Sequence, residues 1–223
     1  MRPRAHSLRR RAAQLESRPR VLIICEGKAT EPSYLQGLKK MEQVRLVEVI
    51  VDSEGGTPKT LVERAASRMK AAKKAAQGAR DENLRYDEIW CVFDVDEHPK
   101  LMDAKQQAEA HHIEIALSNP CFELWLLLHF KDQTAWIHRH DAQSACRAQL
   151  KEFEKRIDFA KIRDRVDVAI QRAARLEDWQ ESRGSQGENP STTVHKLVQR
   201  LKELSKAESL KQIQNIQIGS KKL

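Results

Sequence analysis

The sequence predicts an α/β protein whose central sheet is mostly parallel and is flanked by helices. Short apolar runs alternate four times with segments of helical period, which is the order of a parallel sheet with helices on its faces. Acidic residues directly follow two of these runs, where ligands collect in open α/β sheets. The four apolar runs cover residues 21–25, 46–51, 89–93 and 113–117.

The acids lie at the ends of the first and third runs. Glu26 follows the first run, and Asp94 and Asp96 follow the third. In an extended backbone Asp94 and Asp96 point to the same side, where unpaired carboxylates repel each other. A hard divalent cation such as Mg²⁺ would relieve that repulsion. The alternative is that these acids merely end a strand and begin a turn. We expect Glu26 to meet the Asp pair at one edge of the sheet.

The composition is that of a soluble globular protein. The 223 residues fit one domain, or one domain with a helical extension, and they are 40% hydrophobic and 32% charged. No run reaches the length of a membrane span, and the Arg-rich start is not followed by the apolar segment of a signal peptide. We therefore expect a cytoplasmic protein without a membrane partner. The four cysteines form no CxxC pair, which predicts reduced thiols in the core.

The net charge of +8 is concentrated at the two ends of the chain. Residues 1–20 hold seven Arg against Glu16, and residues 196–223 hold seven Lys or Arg against Glu203 and Glu208. The middle is therefore slightly acidic, which suits a protein that binds cations at its site and phosphates around it. Solvated basic tails are the alternative explanation.

Residues 1–20 are predicted to form a basic flexible arm, because they lack apolar periodicity. Its expected nucleic-acid contacts are Arg9, Arg10 and Arg11. The α/β core is assigned to residues 21–135. Residues 136–223 are assigned to a helical extension packed on that core, because the sequence becomes helical and charged there.

Several helices carry start signals. Pro32 and Pro58 fit the first helical position, and Thr57 fits the cap before the second of these helices. Asn189-Pro190 is interpreted in the same way, as the cap of a C-terminal helix. Helices are further predicted over residues 59–77 and 101–110 and twice within residues 141–179. Residues 213–218 are interpreted as a short edge strand or a frayed end.

The segment 121–130 is so apolar that it predicts a buried helix, and Glu123 within it is conspicuous. A carboxylate in such surroundings needs a partner. That partner is a basic side chain, a backbone amide at the helix start, or the metal shared with the other acids. We expect Glu123 to face the same site as an accessory acid.

Four segments taken together resemble the RloB family, whose members look like diverged TOPRIM domains. They occur in order and span most of the chain from residue 21 to about residue 204. The segments are Cys25-Glu26-Gly27 with Thr30-Glu31-Pro32-x-Tyr34, Phe93-Asp94-Val95-Asp96, residues 118–130 (SNPCFELWLLLHF) and residues 189–198 (NPSTTVHKLV).

The resemblance implies a site with one glutamate after the first strand and Asp-x-Asp after the third. Carried over by position, Glu26 becomes the general acid or base and a metal ligand, and Asp94 and Asp96 become ligands of Mg²⁺ or Mn²⁺. Glu123 joins them as a catalytic candidate. Lys28 is a candidate phosphate contact, although a plain surface lysine is the commoner outcome.

The implied activity is that of a metal-dependent nuclease acting on RNA such as tRNA, or on DNA, in bacterial defence against phage. RloB-like proteins often occur beside an ATPase, so an ATPase partner is expected, and formation of a homo-oligomer is left open. The alternative is a non-catalytic regulatory subunit that keeps the fold, although the presence of all three acids weighs against it.

Two other classes of α/β domain place acids at strand ends. Haloacid dehalogenases and receiver domains have theirs after the first strand, whereas this chain has a single glutamate there and the pair after the third. The histidine pairs at 111–112 and 138/140 lack zinc-type partners and are interpreted as surface or structural residues. The four tryptophans are expected in the core, with Trp136, in a polar stretch, the least certain of them.

Overall fold

A computed structural model of the chain describes residues 19–44, 47–51, 57–95, 101–150 and 157–220. Within them lie five strands, seven α-helices and three short 3₁₀ turns. The strands are β1 (Val21–Cys25), β2 (Val47–Val51), β3 (Glu88–Asp94), β4 (Glu114–Asn119) and β5 (Ser191–Thr192). The helices are α1 (Thr30–Glu42), α2 (Pro58–Ala79), α3 (Leu101–Ala110), α4 (Glu123–Leu128), α5 (Arg139–Gln149), α6 (Val166–Ser182) and α7 (Val194–Ser220).

The five strands form one sheet in the order β2-β1-β3-β4-β5. The first four strands of this order are parallel, and β5 pairs antiparallel with β4. The predicted α/β fold with a mostly parallel sheet is therefore confirmed. Because β1 and β3 are neighbours, with Cys25 opposite Val92, their carboxyl ends lie side by side.

Helices cover both faces of the sheet because the central strands are apolar on both sides. Val21, Ile23 and Cys25 of β1 share one core with residues of α1 and α4 to α7. Leu22 and Ile24 of the same strand share a second core with residues of α2 and α3. The alternation of side chains along a strand produces this division.

Residues of the predicted helical extension belong to the same core as β1 and α1. Ile137, Cys146 and Leu201 are buried in that core. The Arg200 guanidinium of α7 donates three hydrogen bonds of 2.5–3.1 Å to the Glu88 carboxylate at the start of β3. The helices of the predicted extension are therefore packed against the strands of the sheet. The predicted domain boundary at residue 135 stays a prediction.

The structure corrects the interpretation of Asn189-Pro190 as a helix cap. Ser191–Thr192 form β5, and α7 begins only at Val194. The Asn189 side chain instead contacts the backbone of Ile137: its amide nitrogen donates to the carbonyl at 2.9 Å, and its oxygen accepts from the N–H at 3.2 Å. An Asn-Pro pair is compatible with either role, and tertiary pairing with β4 decided between them.

Further expectations from the sequence were wrong. Residues 213–218 lie inside α7, so the edge-strand interpretation of this segment is wrong. Trp136 and Trp179 were expected in the core, and their side chains are 67% and 37% exposed.

Other expectations were confirmed. Thr57 caps α2 by accepting from the Thr60 N–H at 3.4 Å, with Pro58 in the first turn. All four cysteines are free and buried. None of the helices in the described ranges is long and apolar enough to cross a membrane.

His129 follows α4 and is a buried polar side chain of the first core. Its Nδ1 lies 3.0 Å from the Trp125 carbonyl oxygen, and its Nε2 lies 3.2 Å from the Tyr34 hydroxyl. A neutral ring satisfies both contacts, because Nδ1–H donates to the carbonyl while Nε2 accepts from the hydroxyl. Burial lowers the pKa of His129 from 6.5 to about 4.

This buried ring predicts a pH-dependent stability. Between pH 6.5 and about pH 4 the unfolded chain binds a proton at His129 that the folded chain does not. The contribution of His129 to the free energy of unfolding should therefore decrease by up to about 3 kcal/mol as the pH falls through this range. Urea unfolding of the wild type and of His129→Gln across the range measures it.

In His129→Gln the free energy of unfolding should decrease less steeply as the pH falls, whatever the stability of the variant at neutral pH. The slope of the free energy of unfolding against pH is therefore the quantity to compare. His112→Gln, which removes an exposed histidine, serves as the control and should retain the wild-type slope. Equal slopes in the wild type and His129→Gln would mean that His129 titrates normally in the folded protein.

Candidate active site

Two of the predicted acids meet at the carboxyl edge of the sheet. Glu26 directly follows β1, and its N–H donates to the Val92 carbonyl of β3 at 3.0 Å. Asp94 is the last residue of β3, two positions beyond Val92. The parallel pairing of β1 and β3 therefore brings Glu26 and Asp94 to the same edge, as the sequence predicts. Asp96 lies outside the described residues.

The Asp94 carboxylate forms an ion pair with Arg139, the first residue of α5. Arg139 Nη2 lies 2.8 Å from Asp94 Oδ2. The side chains are 31% and 19% exposed, respectively, so water screens the pair only partly. Arg139 thus places a positive charge directly beside the acids.

Two further carboxylates, Glu31 in the first turn of α1 and Glu123 at the start of α4, lie beside this pair. Both residues are buried, with exposures of 7% and 8%. Burial, together with the negative charges of Glu123 and Glu26, raises the pKa of Glu31 to about 7, and a backbone hydrogen bond and the Arg139 charge oppose this shift. The four carboxylates of Glu26, Glu31, Asp94 and Glu123 are called the acidic cluster below.

Two buried cysteines lie close to Glu123. The Cys146 thiol of α5 donates to the Glu123 backbone carbonyl, with a sulfur-to-oxygen distance of 3.2 Å. Cys121 lies close enough that the charges of both Glu123 and Asp94 raise the pKa of its thiol, after the larger effect of burial. The predicted position of Glu123 next to the other acids therefore agrees with the structure, and its role stays a prediction.

Gly27 explains how Glu31 fits into this cluster. A methyl group added at Gly27 would overlap the Glu31 carboxylate. The Glu-Gly step after β1 therefore lets the first turn of α1 place its acid directly against the backbone. Sequence reasoning missed Glu31, although a glutamate four residues after that glycine in the family motif was the available signal.

Arg139 was also missed, and the sequence offers no local signal for it. It lies in a polar stretch far from β3 along the chain, and only the tertiary fold brings it to Asp94.

Lys28 is exposed, as are His111, His112, His138 and His140. The interpretation of these histidines as surface residues is confirmed. Arg9, Arg10 and Arg11 lie outside the described residues.

The donor chemistry of the acidic cluster fits a hard divalent cation, because its side chains offer carboxylate oxygens. In the described ranges, however, no three His, Cys, Asp or Glu side chains are arranged to hold a metal ion. The Asp94 carboxylate contacts the Arg139 guanidinium instead. Among these residues Glu26 and Asp94 are the ones that could serve as metal ligands at the strand ends.

Fold and cluster together define an α/β protein with acids gathered at the carboxyl edge of a parallel sheet. The family model described as RloB-like protein matches residues 21–201. The chain therefore belongs to the RloB-like family, and the resemblance noted in the sequence is confirmed. No curated protein matches the chain, and no solved structure matches it.

The first prediction for this cluster concerns Glu31. Its folded pKa of about 7 lies above its usual 4.5, so its contribution to stability is lost as the pH rises through this range. Glu31→Gln removes the buried charge, and at pH 8 without divalent metal it should be more stable than the wild type by about 1–3 kcal/mol. Denaturant unfolding at pH 8 and at pH 4.5 measures the difference.

The gain should disappear at pH 4.5, where the wild-type carboxyl is protonated. Glu63→Gln, which neutralises an exposed glutamate on α2, is the matched control and should change stability little at either pH. A loss of stability at pH 8 in Glu31→Gln would mean that the charged carboxylate is favourable where it lies.

The second prediction concerns the ion pair. Asp94→Asn leaves the half-buried Arg139 without its anionic contact at 2.8 Å, so without metal it should lower the free energy of unfolding by about 1–2 kcal/mol. The sequence alone predicts no loss for this variant, because it shows only mutually repelling acids. The double variant Asp94→Asn/Arg139→Gln should recover part of the loss, and additive effects of the two single variants would exclude direct coupling.

Proposed function

We propose that this protein is a Mg²⁺- or Mn²⁺-dependent nuclease that hydrolyses phosphodiester bonds at the acidic cluster. The observation that carries the proposal is the convergence of Glu26, Glu31, Asp94 and Glu123 at the carboxyl edge of the sheet. Burying several carboxylates together is unfavourable for folding, and α/β enzymes place their ligands at this edge. A chemical role accounts for a group of carboxylates in which at least Glu31 is buried against its own charge.

Each residue supports a distinct part of the chemistry. Glu26 is assigned as the general acid or base, because it lies at the end of β1 beside the Asp94 strand end. Glu31, with a pKa raised to about 7, is suited to hold or release a proton near neutral pH. Arg139 orients the Asp94 carboxylate and supplies a positive charge toward the phosphate.

Glu26, Asp94 and Asp96 are the proposed ligands of the cation. When bound, Mg²⁺ or Mn²⁺ would stabilise negative charge that develops on the phosphodiester. Glu123 is proposed as an accessory acid that sets the charge and proton balance around Glu31. Lys28, exposed two residues after Glu26, is proposed as a phosphate contact. The Arg9–Arg11 run is proposed to bind nucleic acid at longer range.

The biological setting follows from family membership and the TOPRIM resemblance and is likewise proposed. The substrate would be RNA such as tRNA, or DNA, in bacterial defence against phage. An ATPase would act as a partner, and the protein would work in the cytoplasm. Membership of the RloB-like family supports this setting without testing it.

A second candidate function is a non-catalytic regulatory subunit that retains the fold. The observation that favours it is the Asp94–Arg139 ion pair, because Arg139 occupies a carboxylate that a metal ion would need. The two candidates differ in one consequence: a regulatory subunit needs no acid at this edge for its activity.

Cleavage assays distinguish the two functions. Purified protein incubated with total RNA and with DNA should produce discrete cleaved ends in Mg²⁺ or Mn²⁺ and none in excess EDTA. Glu26→Gln, Asp94→Asn and Asp96→Asn should each lower the rate on the order of 10²- to 10⁴-fold, because each removes a ligand or a proton carrier. Sequencing of the ends identifies the substrate class.

Glu63→Gln is the control for the loss of a carboxylate as such and should retain full activity. Circular dichroism checks that each inactive variant is folded. Undiminished cleavage in EDTA, or in all three variants, would overturn the nuclease assignment and leave the regulatory subunit as the better explanation.

A further inference from the structure

Three aromatic side chains lie on the surface around Arg139. Trp136 is 67% exposed, the largest exposure among the large hydrophobic residues of the described ranges, and His138 and His140 are exposed as well. The Trp136 and His138 ring centroids are 6.2 Å apart, and those of His138 and His140 are 5.1 Å apart. These three residues are called the aromatic strip. Its rings follow one another at distances typical of interacting aromatic pairs.

The aromatic strip is held in place by the fold. Between its first two members, the Ile137 backbone is fixed on both its N–H and its carbonyl by the Asn189 side chain. The Ile137 side chain is buried in the core. The Nδ1 atom of His138 accepts a hydrogen bond from the His140 N–H at 3.3 Å, which orients that ring. An exposed tryptophan on a fixed backbone loses little conformational entropy when it binds a ligand.

The strip is directly connected to the acidic cluster. Arg139 lies between His138 and His140 and contacts Asp94 at 2.8 Å. Three residues of extended chain span at most about 11 Å, so the Trp136 backbone lies within that distance of the Arg139 backbone. A nucleic-acid strand of several nucleotides that binds the strip is therefore long enough to reach the acidic edge as well.

We propose that the aromatic strip stacks the bases of single-stranded nucleic acid and so positions a strand at the acidic cluster. This inference rests on the proposed nuclease function and adds to it the preference for unpaired substrate. Exposed aromatic rings bind successive bases whatever their identity, because every base has a π-face. Bases inside a duplex are already stacked on each other and cannot use such a surface. The positive charge of Arg139, whose side chain is 31% exposed beside the strip, suits a strand that carries phosphates.

Fluorescence anisotropy in EDTA, which prevents metal-dependent cleavage, tests the inference with labelled single-stranded and duplex oligonucleotides. Trp136→Ala should weaken binding of single strands roughly 5- to 150-fold, the effect of losing one stacked base. Trp136→Phe should retain most of the affinity. Trp179→Ala removes another exposed tryptophan, whose ring lies under the Arg183 guanidinium at 4.9 Å, and should leave binding unchanged.

The salt dependence of the binding affinity distinguishes base stacking from contacts with phosphates. Because Trp136 contacts no phosphate in this proposal, Trp136→Ala should shift the plot of log affinity against log salt without changing its slope. Equal losses for duplex and single strands, or unchanged binding of single strands, would overturn the inference. A change of oligomeric state in Trp136→Ala together with unchanged binding would identify the strip as a protein interface and would likewise overturn it.

The inference and the proposed function fail in different ways. If Trp136→Ala cleaves and binds like the wild type, the strip has no role in positioning while the nuclease assignment stands. If Trp136→Ala loses single-strand binding and no metal-dependent cleavage is found for the wild type, the chain binds single strands without cutting them. Cleavage with a raised KM and a nearly unchanged kcat in Trp136→Ala supports both.

Discussion

The structure depends on one electrostatic constraint, the confinement of like charges at the carboxyl edge of the sheet. Glu31 and Glu123 are almost completely buried beside Glu26, and the pKa of Glu31 rises to about 7 as a result of its burial and these neighbours. The Asp94–Arg139 pair brings a positive charge to this edge. Burial, mutual repulsion of the carboxylates and one ion pair therefore act together at this edge.

Distant parts of the chain cooperate to meet this constraint. Pairing of β1 with β3 brings Glu26 and Asp94 together, and the close approach of α1 to Gly27 adds Glu31. The backbone of β5 and the Asn189 side chain act from the far end of the sequence: β5 extends the sheet beside β4, and Asn189 fixes the residues just before Arg139. The C-terminal segment of the family motif therefore stabilises the backbone of β4 and of Ile137, which lie next to the site.

The sequence predicted the parts of this arrangement that follow from local pattern. Apolar runs identified the four parallel strands β1 to β4, whereas β5 was not predicted. The rule that parallel strands end at one edge predicted that Glu26 and Asp94 would meet. Arg139 was not predictable, because it lies in a polar stretch whose local sequence gives no signal of its pairing with Asp94. Asn189-Pro190 was misinterpreted for a related reason: its side-chain amide binds Ile137 across the fold, while its local sequence resembles a helix start.

Residues 136–140 contain both the arginine that pairs with Asp94 and the three residues of the aromatic strip. Arg139 begins α5 and contacts Asp94, whereas Trp136, His138 and His140 are exposed. The Asn189 hydrogen bonds to Ile137 fix the backbone just before α5. One short stretch of backbone therefore carries both the aromatic strip and the residue that pairs with Asp94.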